Sequence, residues 1–377
     1  MHTNDWSEER RHRLLRRRRS IVWSFVALLV LAIALPFTGY LAVETGAVAP
    51  AVAQTEQGRQ FSEDRATNPR SDTWRHVRRD GEGTTTASGP YVVNNLISNI
   101  GQNWRQIRNG PIKTYGAIIM GLSLLAIGAF YLMRGRIPIE GGRSGYVVPR
   151  WSAFDRTVHW CVAGSFVLLA ATGLALLFGR HVLMPIFGDA GFAAFAQASM
   201  YVHNFLGPLF GVLLVVMIIR WFKPNIPAKH DLQWFKEGGG IVGDKHPPAG
   251  EANGGEKVWF WIGVVLFGVT VTVTGFILDF PNFGQSRDVM AWAHVLHASV
   301  ALVWIALFFG HAYIGTLGTE GALEGMTTGK VDVAWAKQHH DLWYEELIQE
   351  GVQPVRDDRW GGQTPGSSAE TGGAGGT

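Results

Sequence analysis

The stretch "MAWAHVLHASVALVWIALFFGHAYIG", residues 290–315, decides how this chain is to be read. It carries no Asp, Glu, Lys or Arg and is long enough to cross a bilayer's hydrocarbon core as one helix. Yet it holds three histidines, His294, His297 and His311. An imidazole at that depth is costly unless it faces a bundle interior and finds a partner there. Fourteen positions separate His297 from His311. At ~1.5 Å and ~100° per residue they rise by about 21 Å and stop about 40° short of four full turns. Both rings therefore leave one side of the helix, each near a different membrane face. His294 stands about 100° from His311 and is expected to be an interfacial or supporting residue.

Four other apolar runs accompany this one, and all five read as membrane helices: 114–133, 157–178, 199–221, 257–278 and 291–316. Orientation follows from Lys and Arg in the short connections, which concentrate on the cytoplasmic side. The connection from Arg134 to Arg156 holds five Arg, and that from Phe222 to Glu256 four Lys. The connections near 179–198 and 279–290 hold only Arg180 and Arg287. The helix at 114–133 thus enters the cytoplasm, the next four run out, in, out and in, and residues 317–377 form a cytoplasmic tail ending in "GGQTPGSSAETGGAGGT", which reads as disordered. With these flanks the basic clusters serve topology, and nothing points to nucleic acid.

The N-terminus combines the basic segment "EERRHRLLRRRRS", an apolar core over Ile21–Val43 and the small-residue stretch "GAVAPAVAQ", the three parts of a secretory signal. Residues 1–53 are read as a signal peptide cleaved after Ala53, or as an uncleaved signal anchor. Residues 54–113 are then periplasmic, polar and mostly flexible at first. Within them, "NNLISNIGQNWRQIRNG" spaces Leu96, Ile97, Ile100, Trp104 and Ile107 as one face of a short amphipathic helix.

Of the thirteen histidines, five lie within the membrane helices of the four-helix part, residues 151–316: His159, His203, His294, His297 and His311. His203 begins its helix on the outer side, at the depth of His297. His159 begins its helix on the cytoplasmic side, at the depth of His311. A lone membrane histidine is ordinarily a hydrogen-bonded bundle residue. Four that match in depth across three helices make two bis-histidine pairs, which is what two b-type haems require of a helical bundle. Gly164, Gly173, Gly207, Gly211 and Gly310 in the same helices leave room for a planar group, although small residues also serve plain helix contact. A zinc site would bring its ligands to one point, and a proton relay would want carboxylates inside the membrane; Asp155 and Asp279 sit at helix ends. The single cysteine, Cys161, excludes an internal disulfide, an iron–sulfur cluster and covalent haem attachment, and is read as a small packing residue. His181, His230, His246, His339 and His340 fall in loops or the tail, where solvated histidine is the expectation.

The segments "FDRTVHWCVAGSFVLLAATGLAL", "YVHNFLGPLFG", "IPAKHDLQWF", "GEANGGEKVWFW", "HVLHASVALVWIALFFGHAYIG" and "EGMTTGKVDVAWAKQHHDLWYEE" together resemble the cytochrome b (gamma) subunit of membrane-bound formate dehydrogenase. The resemblance covers about residues 151–347, loops included. It implies an all-α membrane fold, a four-helix di-haem cytochrome b bundle, to which this chain adds the helix at 114–133 and the signal-like segment. It implies electrons arriving from a periplasmic iron–sulfur (beta) subunit, fed by a molybdenum- or tungsten-containing alpha subunit, and leaving to quinone. His203 and His297 would hold the outer haem b, and His159 and His311 the inner one, as spacing also pairs them. Asn253 and Gly255, with His311, would form the quinone site; spacing alone makes Asn253 only a turn residue.

The expected function is thus electron transfer and quinone reduction in a bacterial inner membrane, without a site for formate in this chain. The alternatives are the same device serving a nickel–iron hydrogenase or another periplasmic dehydrogenase, a free-standing cytochrome, and a haem-free transporter or assembly protein.

Overall fold

A computed structural model describes residues 83–89, 92–97, 100–240, 245–281 and 284–357. The signal-like segment and the final Gly-rich stretch lie outside the described residues. Two antiparallel strands, β1 (Gly83–Gly89) and β2 (Val92–Ile97), come first. Five helices long and apolar enough to cross a membrane follow: α1 (Ile100–Arg134), α2 (Ala153–Val182), α3 (Met184–Trp221), α5 (Gly254–Asp279) and α6 (Arg287–Gly318). Between α3 and α5 lies α4 (Lys229–Lys236). After α6 come α7 (Ala322–Thr328), α8 (Val333–His339) and α9 (Asp341–Gln349). The short strands β3 (Tyr146–Pro149), β4 (Lys330–Asp332) and β5 (Val355–Arg356) pair antiparallel in the order β4-β3-β5.

The helices differ from the sequence reading at their ends. The amphipathic segment does not lie apart: Leu96 and Ile97 are in β2, and Ile100 opens a helix that continues through a π turn at Arg108–Ile112 into the apolar run. Pro111 sits in that turn, where the wider ring tolerates a missing N–H. The 179–198 connection is almost wholly helical; Gly188, at φ 68° and ψ 175°, supplies the break. Cys161 is exposed on α2 rather than packed inside.

The chain divides into two compact units, each drawing on segments of the same long helices. Among the described residues the first comprises the chain up to Leu125, Val167–Pro208 and Thr270–Ala306. Here α1 lies along α6: Gly116 leaves no room for a Cβ beneath Leu302, and the Ser123 hydroxyl donates to the Ala306 carbonyl at 2.6 Å.

Among the described residues the second unit comprises Ala126–Phe166, Leu209–Val269 and the chain from Leu307 onward. Its expected loop and tail fold together around Ile139, Val148, Val331, Val333, Trp335, Ala336 and Trp343. The arginines read as topological charges are also structural. Arg143 makes a bidentate pair with Glu324, at 2.9 and 2.6 Å, and Arg156 donates to the Thr327 carbonyl. Buried Asp332 caps α8 through Ala334 N and accepts from Ser144 N and Gly145 N. Asp155, 1% exposed at the start of α2, is ion-paired with Arg220 at 2.6 Å. A buried pair, Lys257 Nζ to Asp231 at 2.8 and 2.9 Å, joins α5 to α4.

Candidate functional site

In the first unit the His203 and His297 rings stand 6.1 Å apart between centroids, at 73° to each other. Both are half-buried. Each is engaged at Nδ1 by a threonine of a neighbouring helix: Thr172 Oγ1 on α2 lies 3.0 Å from His203, and Thr274 Oγ1 on α5 lies 3.1 Å from His297. Sequence reading passed over both threonines, since neither lies near its histidine in the chain. His294, on the same helix, packs its ring edge-on against Trp104 of α1 at 5.3 Å and stays out of the pair, as its angular offset predicts.

In the second unit His159 and His311 stand 6.4 Å apart, at 51°. Their surroundings are aromatic. Trp259 of α5 stacks on His311 at 4.6 Å and 7°, and Trp160 meets His159 edge-on at 5.1 Å. The buried Nδ1 of His159 has no hydrogen-bond partner among the described residues. Structure thus brings together each of the two pairs that depth suggested, on three helices, and surrounds them unlike one another.

Asn253 is the N-cap of α5. Its Oδ1 accepts from Glu256 N at 3.0 Å, while Glu256 Oε2 accepts from Asn253 N at 2.9 Å, a capping box. Gly254 and Gly255 admit Trp234, with Cβ positions that would stand 2.8 Å from its ring. Beside this cap lies a cluster that sequence reading left as solvated. His340 is 1% exposed, and its Nδ1 donates to the Gly250 carbonyl at 2.8 Å. Arg150 lies over Trp343 at 4.4 Å and over Trp151 at 4.9 Å, with one guanidinium nitrogen 3.5 Å from His340 Nε2. Burial pushes the Arg150 pKa down. Burial first, and then the Arg150 charge, hold His340 well below the usual imidazole range.

The profile of the prokaryotic cytochrome b561 family matches residues 150–329. The nitrate-inducible formate dehydrogenase cytochrome b556(Fdn) subunit of Escherichia coli (strain K12) is 31% identical over 207 residues, 53% of this chain and 92% of that protein. This chain belongs to the prokaryotic cytochrome b561 family. The formate dehydrogenase cytochrome b556(fdo) subunit of the same strain is 32% identical over 204 residues, 53% of this chain and 93% of its own. The formate dehydrogenase cytochrome b556 subunit of Haemophilus influenzae is 31% identical over 202 residues, covering 51% and 80%. As a member of this family, the chain is a multi-pass membrane protein and a cytochrome b, which implies haem b.

The residues present fit that group. Two metal–nitrogen bonds of about 2.0 Å, plus roughly 1.1 Å from each nitrogen to its ring centre, separate two axial imidazole centroids by about 6 Å. The observed separations are 6.1 and 6.4 Å. Beside Gly164, Gly207 and Gly310 nothing stands within 4 Å of an added Cβ, the room a flat macrocycle needs next to its ligands.

Proposed function

We propose that this chain is the membrane cytochrome b subunit of a respiratory formate dehydrogenase in a bacterial inner membrane. It carries electrons from a periplasmic iron–sulfur subunit to quinone. The observation that carries the reading is the pair of facing imidazoles in each unit, at separations suited to one iron each, in a chain whose relatives bear the name of formate dehydrogenase cytochrome b556 subunits. His203 and His297 hold the outer haem b, and His159 and His311 the inner one. When bound, each haem supplies a one-electron iron couple. The chain's own work is to orient the ligands and to keep their surroundings apolar.

Quinone is reduced near Asn253, Gly255 and His311. With its Oδ1 engaged on Glu256 N, the Asn253 amide keeps its NH2 end to donate to a quinone carbonyl. The Arg and Lys excess of the 134–156 and 222–256 connections supports a cytoplasmic position for this end, from which protons for quinol would come. Oxidation of formate belongs to a separate molybdenum- or tungsten-containing subunit.

A dithionite-minus-oxidised spectrum of the purified subunit, with extracted haem counted per chain, tests this. Two non-covalent b haems are expected, with one lost in His203→Ala and the other in His159→Ala. A haem-free protein, from cells that make haem in excess, would end the electron-transfer reading. Co-purification with a nickel–iron subunit in place of an iron–sulfur and molybdopterin pair would redirect it to hydrogenase.

A further inference from the structure

The two rings of the His203/His297 pair are gripped in the same way from two different helices. On α2 the grip is Thr172-Gly173, and on α5 it is Thr274-Gly275. Each threonine hydroxyl lies close to the carbonyl one turn back, Thr172 to Leu168 at 2.8 Å and Thr274 to Thr270 at 2.6 Å. A hydroxyl has one proton. With that proton on the carbonyl, Oγ1 would meet the imidazole as an acceptor, and Nδ1 would carry the hydrogen in both rings. The lone pair of each ring would then be on Nε2. The adjoining glycine completes the grip. A Cβ on Gly173 would stand 3.2 Å from His203 Cε1, and one on Gly275 would stand 3.4 Å from His297 Cε1. The His159/His311 pair is held otherwise, by Trp259 stacking on His311 and with His159 Nδ1 unpartnered among the described residues.

We propose that Thr172-Gly173 and Thr274-Gly275 form a matched pair of clasps, positioning residues that fix the tautomer and rotation of His203 and His297 and lower the reduction potential of the metal these rings hold. The inference rests on the reading above that this pair binds one haem. An acceptor on Nδ1–H makes Nε2 more basic, and a more basic axial ligand favours ferric over ferrous iron. Both clasps act on one iron in the same sense. Among the described residues the other pair has no such threonines, so its iron sits higher in potential. Electrons entering at the His203/His297 end then run downhill to the His159/His311 end.

The test is a potentiometric titration of the full chain in its complex, with low-spin ferric EPR and haem content, for Thr172→Val, Thr274→Val and the double variant, each beside its Thr→Ser counterpart. In the double Val variant one haem is expected to lose roughly tenfold of its ferric preference, an upward shift of about 59 mV for a one-electron couple. Its EPR signal moves with it, the other haem stays in place, and Ser restores the wild-type values. Unchanged potentials in the Val variants would overturn the clasps. So would Ser shifting as far as Val, or both haems shifting alike. If Val loses the haem, retention in Ser upholds the proposal and equal loss in both refutes it. Failure of the underlying haem reading looks different: wild type without two haems, or His203→Ala that keeps both.

Discussion

His339 and His340 are adjacent in sequence, and burial keeps both neutral. Burial, followed by the nearby His246, lowers the His339 pKa to about 4, and His340 is held well below its usual value. Unfolded, both titrate near the ordinary imidazole value of about 6.5. From about 4 to 6.5 the unfolded chain therefore binds more protons than the folded one. Stability is fully present above that window and falls as pH drops through it. The melting temperature of the detergent-solubilised protein should be lower at pH 5 than at pH 7.5, and His339→Gln should flatten part of that slope. A pH-independent melt would contradict the assignment. Gly255 shows a second constraint at this scale. Its Cβ would stand 2.8 Å from Trp234 Cη2, so Gly255→Ala should cost about 1–3 kcal/mol by overpacking, read as a lower denaturation midpoint. Sequence could name Gly255 as small, but the indole above it comes from another helix.

Elements are joined by contacts that their own sequences do not advertise. α4 is short and has a strong apolar side, yet its attachment to α5 includes the buried Asp231–Lys257 pair. Removing one partner leaves a buried charge alone, so Lys257→Met should destabilise by about 3–5 kcal/mol. The double variant Lys257→Met, Asp231→Leu should recover most of that in a denaturation series. It should fall short by about 1 kcal/mol, because Asp231 Oδ2 also accepts from Ala228 N at the helix start. Equal losses in single and double variants would mean that the ion pair is not what holds α4. For α1, hydropathy identified the helix, but its length and its seat escaped. A polar, amphipathic first turn conceals that Ile100–Arg134 is continuous. Gly116 against Leu302 then shows where it lies on α6, so Gly116→Leu should lower the melting temperature by displacing one of the two helices.

For the whole molecule, residues 317–357 are part of a folded unit rather than a tail. They supply Glu320 and Glu324 to Arg143, and Trp335 and Trp343 to Arg150. A chain stopped after residue 316 should therefore expose the 134–156 connection to protease and accumulate poorly in membranes. Normal levels and normal protection of the truncated chain would refute this. The sequence by itself determined the five apolar spans and which histidines are spaced to pair, because hydropathy and helical rise are local quantities. Only the tertiary structure decided which helix grips which imidazole, which arginine is buried and which histidine is solvated. Thr172 and His203 are 31 residues apart, and Arg150 and His340 are 190 apart. A hydrogen bond between such residues depends on where two separate helices or loops come to rest, and a short window of sequence carries no record of that.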